Sequence, residues 1–548
     1  MSTAPEMVNI IIDGKPLSVP KGMNVIEAAK KLGIEIPHYC YHPDLSIAGN
    51  CRMCQVEIKG APKLEIACNC GAREGLEIST QHTSKAVEAA QAATLEFILI
   101  NHPLDCTVCD QAGHCKLQDY HYEYNAQDSR FVENKEHKVK AEPLGPHVML
   151  DGERCIMCTR CIRFCDEITE TTELGMLNRG DRSVIAINKS KPLDNALSGT
   201  VVDLCPVGAL THKDWRFNTR IWFTEQTDSI CPGCSTGCNA KVCTRDNEIV
   251  QVKARVNQQV NKEWMCDEGR YGFGRFKPEA RLTNALVNGV VKTQAEALKE
   301  AKNISSGNTL VFLSPDLLLE EYALIKQFVT ANVKNNKVVL AYKKRALSVV
   351  EAKLVSPDYA SNYQGAIYSG VVGPNVEEDY KTALQNLTNG VYKHVMLIGD
   401  RAILKEDHTP QVLHAVQNAS FSLGLFCDES SGLTSSTKVV LPARTILEKS
   451  GLLINSKERL QYTAKVIDFP ENTDPEWRIL TKLAAEMGGK LTQAPGDREL
   501  TLEYLAKENR LSGLKIMHIK NGGICLKSYQ PGSAANIDGT NVQQGAAL

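Results

Sequence analysis

The chain has 548 residues, with 62 Lys and Arg against 64 Asp and Glu, for a net charge of −2. That length exceeds what one hydrophobic core can organise and predicts roughly three to five domains. The near-neutral balance and a pI near 6.7 give no reason to expect nucleic acid or an anionic membrane surface. Mean hydropathy is −0.23, and no apolar run approaches the roughly 18 residues a spanning helix needs. Met1–Ile10 reads as neither a signal nor a transit peptide, so a cytoplasmic, bacterial chain is expected.

The twenty cysteines are unevenly placed: eighteen lie between Cys40 and Cys266, and only Cys427 and Cys525 follow. In a cytosolic chain such a density points to metal or redox chemistry rather than disulfides. The first half therefore reads as metal-bearing and the second as something else.

Residues 8–19 read as two short strands around an Asp13-Gly14 turn. Asn24 is expected to cap a helix through Ala28, Ala29 and Leu32 that stops at Gly33. Cys40, Cys51 and Cys54 follow, with Cys68 and Cys70 competing for a fourth place. A strand hairpin, a helix and a loop with an inner C-x2-C is the order of a plant-type ferredoxin, with a longer first gap. Gly49 permits a tight turn that aims amides at sulfur.

Residues 84–100 read as an amphipathic helix through Val87, Leu95, Ile98 and Leu99. His102, Cys106, Cys109 and Cys115 come next, as H-x3-C-x2-C-x5-C. That set suits a cluster with one imidazole ligand or a Cys3His zinc site. His114 is a poorer ligand than His102, because its neighbour Cys115 would have to reach the same metal.

Cys155, Cys158 and Cys161 stand at two-residue intervals, and Cys205-Pro206 follows with forty-three residues between it and Cys161. This is the bacterial ferredoxin way of holding a cubane. Cys165 would serve a second cluster, but no second C-x2-C-x2-C run occurs between 166 and 204. It is expected to be a packed thiol on a short helix.

A strand is expected at Ile221–Phe223, followed by Cys231, Cys234, Cys238 and Cys266 in a C-x2-C-x3-C-x27-C pattern. Gly233 and Gly237 are expected to let backbone approach a cluster, and Cys243 to be merely buried. From about 285 the pattern changes: strands at Thr309–Ser314, Lys337–Tyr342 and Val395–Ile398, with a helix from Leu317 to Val329, predict a partly parallel α/β sheet. No nucleotide-binding glycine motif accompanies them. The stretch from Gly532 reads as a disordered tail.

Four ligand sets in this order resemble the large iron–sulfur subunit (the mitochondrial 75-kDa type) of NADH:quinone oxidoreductase, respiratory complex I. The strings that carry the match are Pro37 to Cys54, Asn101 to Cys106, Cys109 to Gly113 and Cys155 to Arg163. The resemblance implies a [2Fe–2S] centre on Cys40, Cys51, Cys54 and Cys68, and a [4Fe–4S] centre on His102, Cys106, Cys109 and Cys115. It implies a second [4Fe–4S] centre on Cys155, Cys158, Cys161 and Cys205, and an additional one on Cys231, Cys234, Cys238 and Cys266. The second half is similar to a molybdopterin oxidoreductase domain, best at Lys438 to Asn455. Active relatives of that kind have a lysine where this chain has Glu268, and use a longer domain, so no molybdopterin is expected.

The implied fold is multidomain α+β and α/β: a β-grasp [2Fe–2S] domain (1–83), a His-Cys [4Fe–4S] domain (84–145) and a bacterial ferredoxin-like [4Fe–4S] domain (146–220). A molybdopterin-oxidoreductase-type [4Fe–4S] domain (221–280), a truncated α/β domain (281–531) and a tail (532–548) complete it. The implied function is electron transfer within complex I, with no catalytic residue on this chain. Its partners would be the flavin/NADH-binding subunit and other peripheral-arm subunits, on the cytoplasmic side of the bacterial inner membrane. It would meet the membrane only through the complex, and no nucleic acid is expected. The alternative is the catalytic subunit of an NAD-linked molybdenum formate dehydrogenase.

Overall fold

The computed structural model describes residues 5–124, 128–188, 191–276, 281–428 and 432–532. The expected tail beyond Gly532 lies outside the described residues. The chain forms two compact units, Met1–Thr224 and Glu225–Leu548.

The first unit opens with β1 (Met7–Ile12) and β2 (Lys15–Pro20), an antiparallel hairpin. Its turn places Asp13 at φ 49° and Gly14 at φ 75°, the two left-handed positions that match strand twist. α1 (Val25–Lys31) follows and buries Val25, Ile26, Ala28 and Ala29. β3 (Gln55–Ile58), β4 (Glu65–Ile66) and β5 (Leu76–Ser79) complete a sheet of order β2-β1-β5-β3-β4, with β5 parallel to β1. This is the expected β-grasp arrangement. Its core joins Ile10, Ile12, Val25 and Val56 to the ligand positions Cys54 and Cys68.

α2 (Lys85–Leu99) starts at Ser84, whose hydroxyl accepts from the Val87 amide, and buries Val87, Gln91 and Leu95 along one stripe. α3 (Lys116–Tyr124) begins directly after Cys115. β6 (Glu142–Pro143), β7 (Val148–Leu150) and, later, β10 (Leu210–His212) form a small antiparallel sheet. Between them lie α4 (Arg160–Arg163), the hairpin β8 (Leu174–Leu177) and β9 (Val184–Ile187), and α5 (Thr200–Leu204).

The strand expected at Ile221–Phe223 is a single helical turn instead. Only Ile221 is buried there; Trp222 and Phe223 are exposed, so no neighbouring strand has an apolar face to pair with. The strand lies just beyond, as β11 (Glu225–Ile230), in a meander with β12 (Asn239–Arg245) and β13 (Glu248–Ala254). α6 (Asp267–Tyr271) follows.

The second unit is built on a seven-stranded sheet. Its strands are β14 (Ala285–Val287), β15 (Val290–Lys292), β16 (Thr309–Leu313), β17 (Asn336–Leu340), β18 (His394–Ile398), β19 (Phe421–Phe426) and β20 (Val439–Pro442). The order is β15-β14-β20-β19-β18-β16-β17, five strands parallel and the β14–β15 hairpin antiparallel at one edge. Alternate residues of β16 feed opposite cores, Val311 and Leu313 on one face and Leu310 and Phe312 on the other. Burial on both faces explains the unbroken apolar run TLVFL. α7 (Gln294–Ala301) and α8 (Leu319–Asn332) pack on this sheet, and β21 (Gly451–Ile454), β22 (Arg459–Thr463) and β23 (Ile524–Cys525) form a separate three-stranded sheet.

Candidate metal centres

The loop between α1 and β3 carries Cys40, Cys51 and Cys54, and the single turn Ala67–Asn69 after β4 carries Cys68. The Cys40 amide donates to Cys51 Sγ at 3.4 Å, and the thiols of Cys40, Cys51, Cys54 and Cys68 are hydrogen-bonded among themselves. Bonds from Cys51 and Cys68 hold the Cys40 thiol well below its usual range, while Cys51 and Cys68 are pushed up in return. Cys70 stands apart with Arg73 beside it, its thiol raised by burial. Arg52 at φ 57° and Gly49 at φ 62° turn the loop back on itself. Asn24 ties this site to the helix: its Oδ1 accepts from the Ile26 amide at 2.9 Å and its Nδ2 donates to the Cys68 carbonyl at 2.6 Å.

His102, Cys106, Cys109 and Cys115 line one small cavity at the end of α2, with Asp105, Arg154 and Gly208. Burial holds the His102 imidazole down to about 4, so it is neutral at pH 7, as a metal ligand must be. Asp105 is already held by Lys140 at 2.6 Å and Arg154 at 2.9 Å. His114 does not line the cavity. Gly208 is required here, since a Cβ at that position would fall 2.2 Å from Cys109 Sγ.

Cys155, Cys158, Cys161 and Cys205 surround a third small space. Met157 at φ 53° and Thr159 at φ 60° are both left-handed, and the Met157 amide points at Cys155 Sγ at 3.4 Å. Strain of this kind concentrates at functional loops. Burial pushes the Cys155, Cys158 and Cys205 thiols up to about 11, so iron binding has to displace protons. Cys165 does not line this space. It is buried on the π-helical turn Phe164–Ile168 that continues α4, and burial together with nearby Glu173 raises its thiol.

The first and third loops are tied directly together. Arg160 donates to the carbonyls of Tyr41 and Leu204, and Arg163 to those of Cys40, Ser46 and Cys158. The Ser46 amide and hydroxyl both donate to Glu167, and Asn50 donates to the Met157 carbonyl. The second and third sets meet where Pro206 accepts from the Lys116 amide at 3.2 Å and Gly208 lies on Cys109.

Cys231, Cys234, Cys238 and Cys266 line a fourth small space within the second unit. Cys231 follows β11, Cys238 precedes β12 and Cys266 caps α6, its Sγ accepting from the Gly269 amide at 3.3 Å. The close backbone approach is made by Gly269, where a Cβ would lie 2.9 Å from Cys231 Sγ. Gly233 also lines the space, where a Cβ would lie 3.4 Å from Cys231 Sγ, whereas Gly237 is crowded by Gln461 rather than by a thiol, contrary to the expectation for that glycine.

Family models match most of the chain in sequence. Residues 5–83 match a 2Fe-2S iron-sulfur cluster binding domain. Residues 91–130 match the NADH-ubiquinone oxidoreductase-G iron-sulfur binding region, and 145–211 the ferredoxin-like domain of NADH-quinone oxidoreductase subunit 3. Residues 224–277 match the molybdopterin oxidoreductase Fe4S4 domain and 286–486 molybdopterin oxidoreductase. The chain is 36% identical over 370 residues to the NADH-ubiquinone oxidoreductase 75 kDa subunit of Reclinomonas americana, covering 65% of this chain and 53% of that protein. It is 36% identical over 363 residues to the corresponding NADH-quinone oxidoreductase subunit of Streptomyces coelicolor (65% and 43%), and 36% over 337 residues to that of Rickettsia bellii (60% and 49%). The chain is a relative of these large iron–sulfur subunits. It spans about half the length of the curated relatives it matches.

The donor sets of this 75-kDa-type relative fit iron–sulfur clusters. Each is thiol-rich, and in three of them all four donors line one shared space. A molybdenum-bearing pterin fits less well. The cavity at the carboxyl ends of the parallel strands is lined by Arg281, Asp316, Arg401, Cys427 and Lys449. Three of the cations that line it are paired, Arg281 to Glu448 at 2.7 Å, Arg401 to Asp316 at 2.8 Å and Lys449 to Glu476 at 2.6 Å, and Lys405 and Arg444 line it as well. Cys427 is hydrogen-bonded to Asp400, and Glu268 accepts from Arg345 at 3.0 Å.

The sequence reading missed the arginine ties, Asn24 as a link to Cys68, and the two close glycines. A signal for the glycines was present: Gly208 and Gly269 each stand three residues after the cysteine that closes a set.

Proposed function

We propose that this chain is the electron-transfer subunit of an NADH:quinone oxidoreductase, relaying electrons from a flavin-bearing neighbour toward quinone while the whole complex moves ions. Cys40, Cys51, Cys54 and Cys68 would hold one [2Fe–2S] cluster. Three [4Fe–4S] clusters would sit on His102 with Cys106, Cys109 and Cys115, on Cys155, Cys158, Cys161 and Cys205, and on Cys231, Cys234, Cys238 and Cys266. The observation that carries this reading is the direct hydrogen bonding between the Cys40 and Cys155 loops, because short, fixed separations are what sequential electron transfer requires.

The bound clusters supply one-electron storage. The chain's own residues hold the sulfurs, exclude water and aim amides and cations at them, which is how a protein sets potentials. No acid, base or nucleophile is needed. The six-segment domain partition is proposed to hold, its 221–280 segment opening shortly before the second compact unit begins at Glu225. No described helix is long and apolar enough to cross a membrane; the proposed place is peripheral, on the cytoplasmic face, held by the other subunits. The α/β region is proposed to carry no molybdopterin, which sets aside the formate dehydrogenase alternative.

The test is metal analysis and EPR of the anaerobically purified, dithionite-reduced chain. About 14 iron atoms per chain, no stoichiometric molybdenum and both cluster types are expected. Zinc in place of iron would reject the relay, and one molybdenum per chain would restore the alternative.

A further inference from the structure

We propose that Arg163 is the positioning residue between the Cys40 and Cys155 sets: a single guanidinium fixes the spacing of the two loops and supplies a positive charge that both clusters share. This rests on the electron-relay function above and names a residue that serves it.

α4 carries Arg163 two residues beyond the ligand position Cys161. Its Nη2 donates to the carbonyl of Cys40 at 2.6 Å and to that of Cys158 at 3.2 Å, so one nitrogen links a ligand residue of each set. Its Nη1 donates to the Ser46 carbonyl at 2.5 Å, and its Nε to Thr159 Oγ1 at 3.3 Å. Arg160 runs alongside but reaches Tyr41 and Leu204, neither of them a ligand position.

Every one of these Arg163 acceptors is neutral, and the residue is only 9% exposed. Two other buried arginines meet carboxylates, Arg154 at Asp105 and Asp151 and Arg281 at Glu448, while Arg270 and Arg444 donate to the Val252 and Thr473 carbonyls. A guanidinium removed from water beside neutral acceptors alone is costly, and burial of charge is ordinarily offset by a counter-charge. Thiolate-held clusters are anionic and provide that counter-charge from two sides. An adjacent cation favours the more negative, reduced form, and so raises the potential of both centres. The planar fork also fixes several carbonyls at set angles, which a lysine ammonium on a flexible stem does not do.

The test compares Arg163→Met and Arg163→Lys with the native sequence, as full-length, anaerobically isolated chains. Iron is counted, and redox titrations followed by EPR give the potentials of the two centres and the mutual broadening of their reduced signals. In iron-replete R163M both reduction equilibria are expected to fall about tenfold, or about 59 mV for one electron, with the broadening reduced. In R163K the potentials are expected to stay near native while the broadening falls. Native potentials in iron-replete R163M, or a shift confined to one centre, would overturn the proposal. If R163M takes up no iron, R163K decides, and unchanged broadening there overturns it. Loss of the Arg163 effect with both signals intact leaves the relay standing. Absence of a [2Fe–2S] signal from the native chain removes the relay and this proposal together.

Discussion

Single side chains divide the chemistry between neighbours that look alike in sequence. Cys68 and Cys70 are two residues apart, yet Cys68 is fully buried against Cys40 and Cys54 while Cys70 faces Arg73. Cys68→Ser is expected to abolish the [2Fe–2S] EPR signal and Cys70→Ser to leave it unchanged; the reverse result would reassign the fourth ligand. His102 contributes no charge, because burial keeps its imidazole neutral. His102→Cys adds a thiolate and is expected to keep the cluster at a lower potential. A redox titration that superimposes on the native one would exclude His102 as a ligand.

At the level of elements, two ligand sites are fastened to regular structure by a bond that also caps a helix, at Asn24 and at Cys266. Asn24 is the clearest case, capping α1 with one side-chain atom and holding the Cys68 carbonyl with the other. Loss of an N-cap costs about 1 kcal/mol. Asn24→Ala is therefore expected to destabilise the first unit by about that much and to speed loss of the [2Fe–2S] absorbance under a chelator. A melting shift without faster cluster loss would separate the two roles. The turn at Ile221–Phe223 illustrates the limit of local patterning: three large apolar residues suggested a strand, but two of them face solvent.

Across the second unit, buried charge makes stability depend on pH. Glu320 on α8 is fully buried, accepting from the Leu452 amide at 3.1 Å and the Thr501 hydroxyl at 2.5 Å, and burial pushes its carboxyl up to about 8. The folded chain thus keeps a proton that the unfolded chain gives up near its ordinary value of 4.5. Stability from this group is fully present below about 4.5, falls as pH rises toward about 8 and levels off beyond. Glu320→Gln is neutral throughout. It can accept from Leu452 and donate to Thr501, whose hydroxyl has the Asp497 carbonyl at 3.0 Å as its own acceptor. Denaturation midpoints measured from pH 5 to 8 should decline for the native chain and lose that part of the slope in E320Q. Parallel pH profiles would show that Glu320 is ionised in the fold.

By itself the sequence determined the four cysteine-rich sets, the capped first helix, the hairpin at Asp13-Gly14 and the α/β character of the second half. Each of these is written in short-range spacing, because cluster loops, caps, turns and buried strands are local objects. The tertiary structure decided what depends on residues far apart: which of Cys68 and Cys70 joins Cys40, and that Gly208 and Gly269 lie tightly against the sulfurs of Cys109 and Cys231. It also decided that Arg163 spans from the Cys158 loop back to Cys40. Those contacts join positions separated by 28 to 123 residues, and no periodicity or spacing encodes a hydrogen bond across such a gap. Packing alone fixes it, because a buried donor has to find its acceptor wherever the fold has brought one.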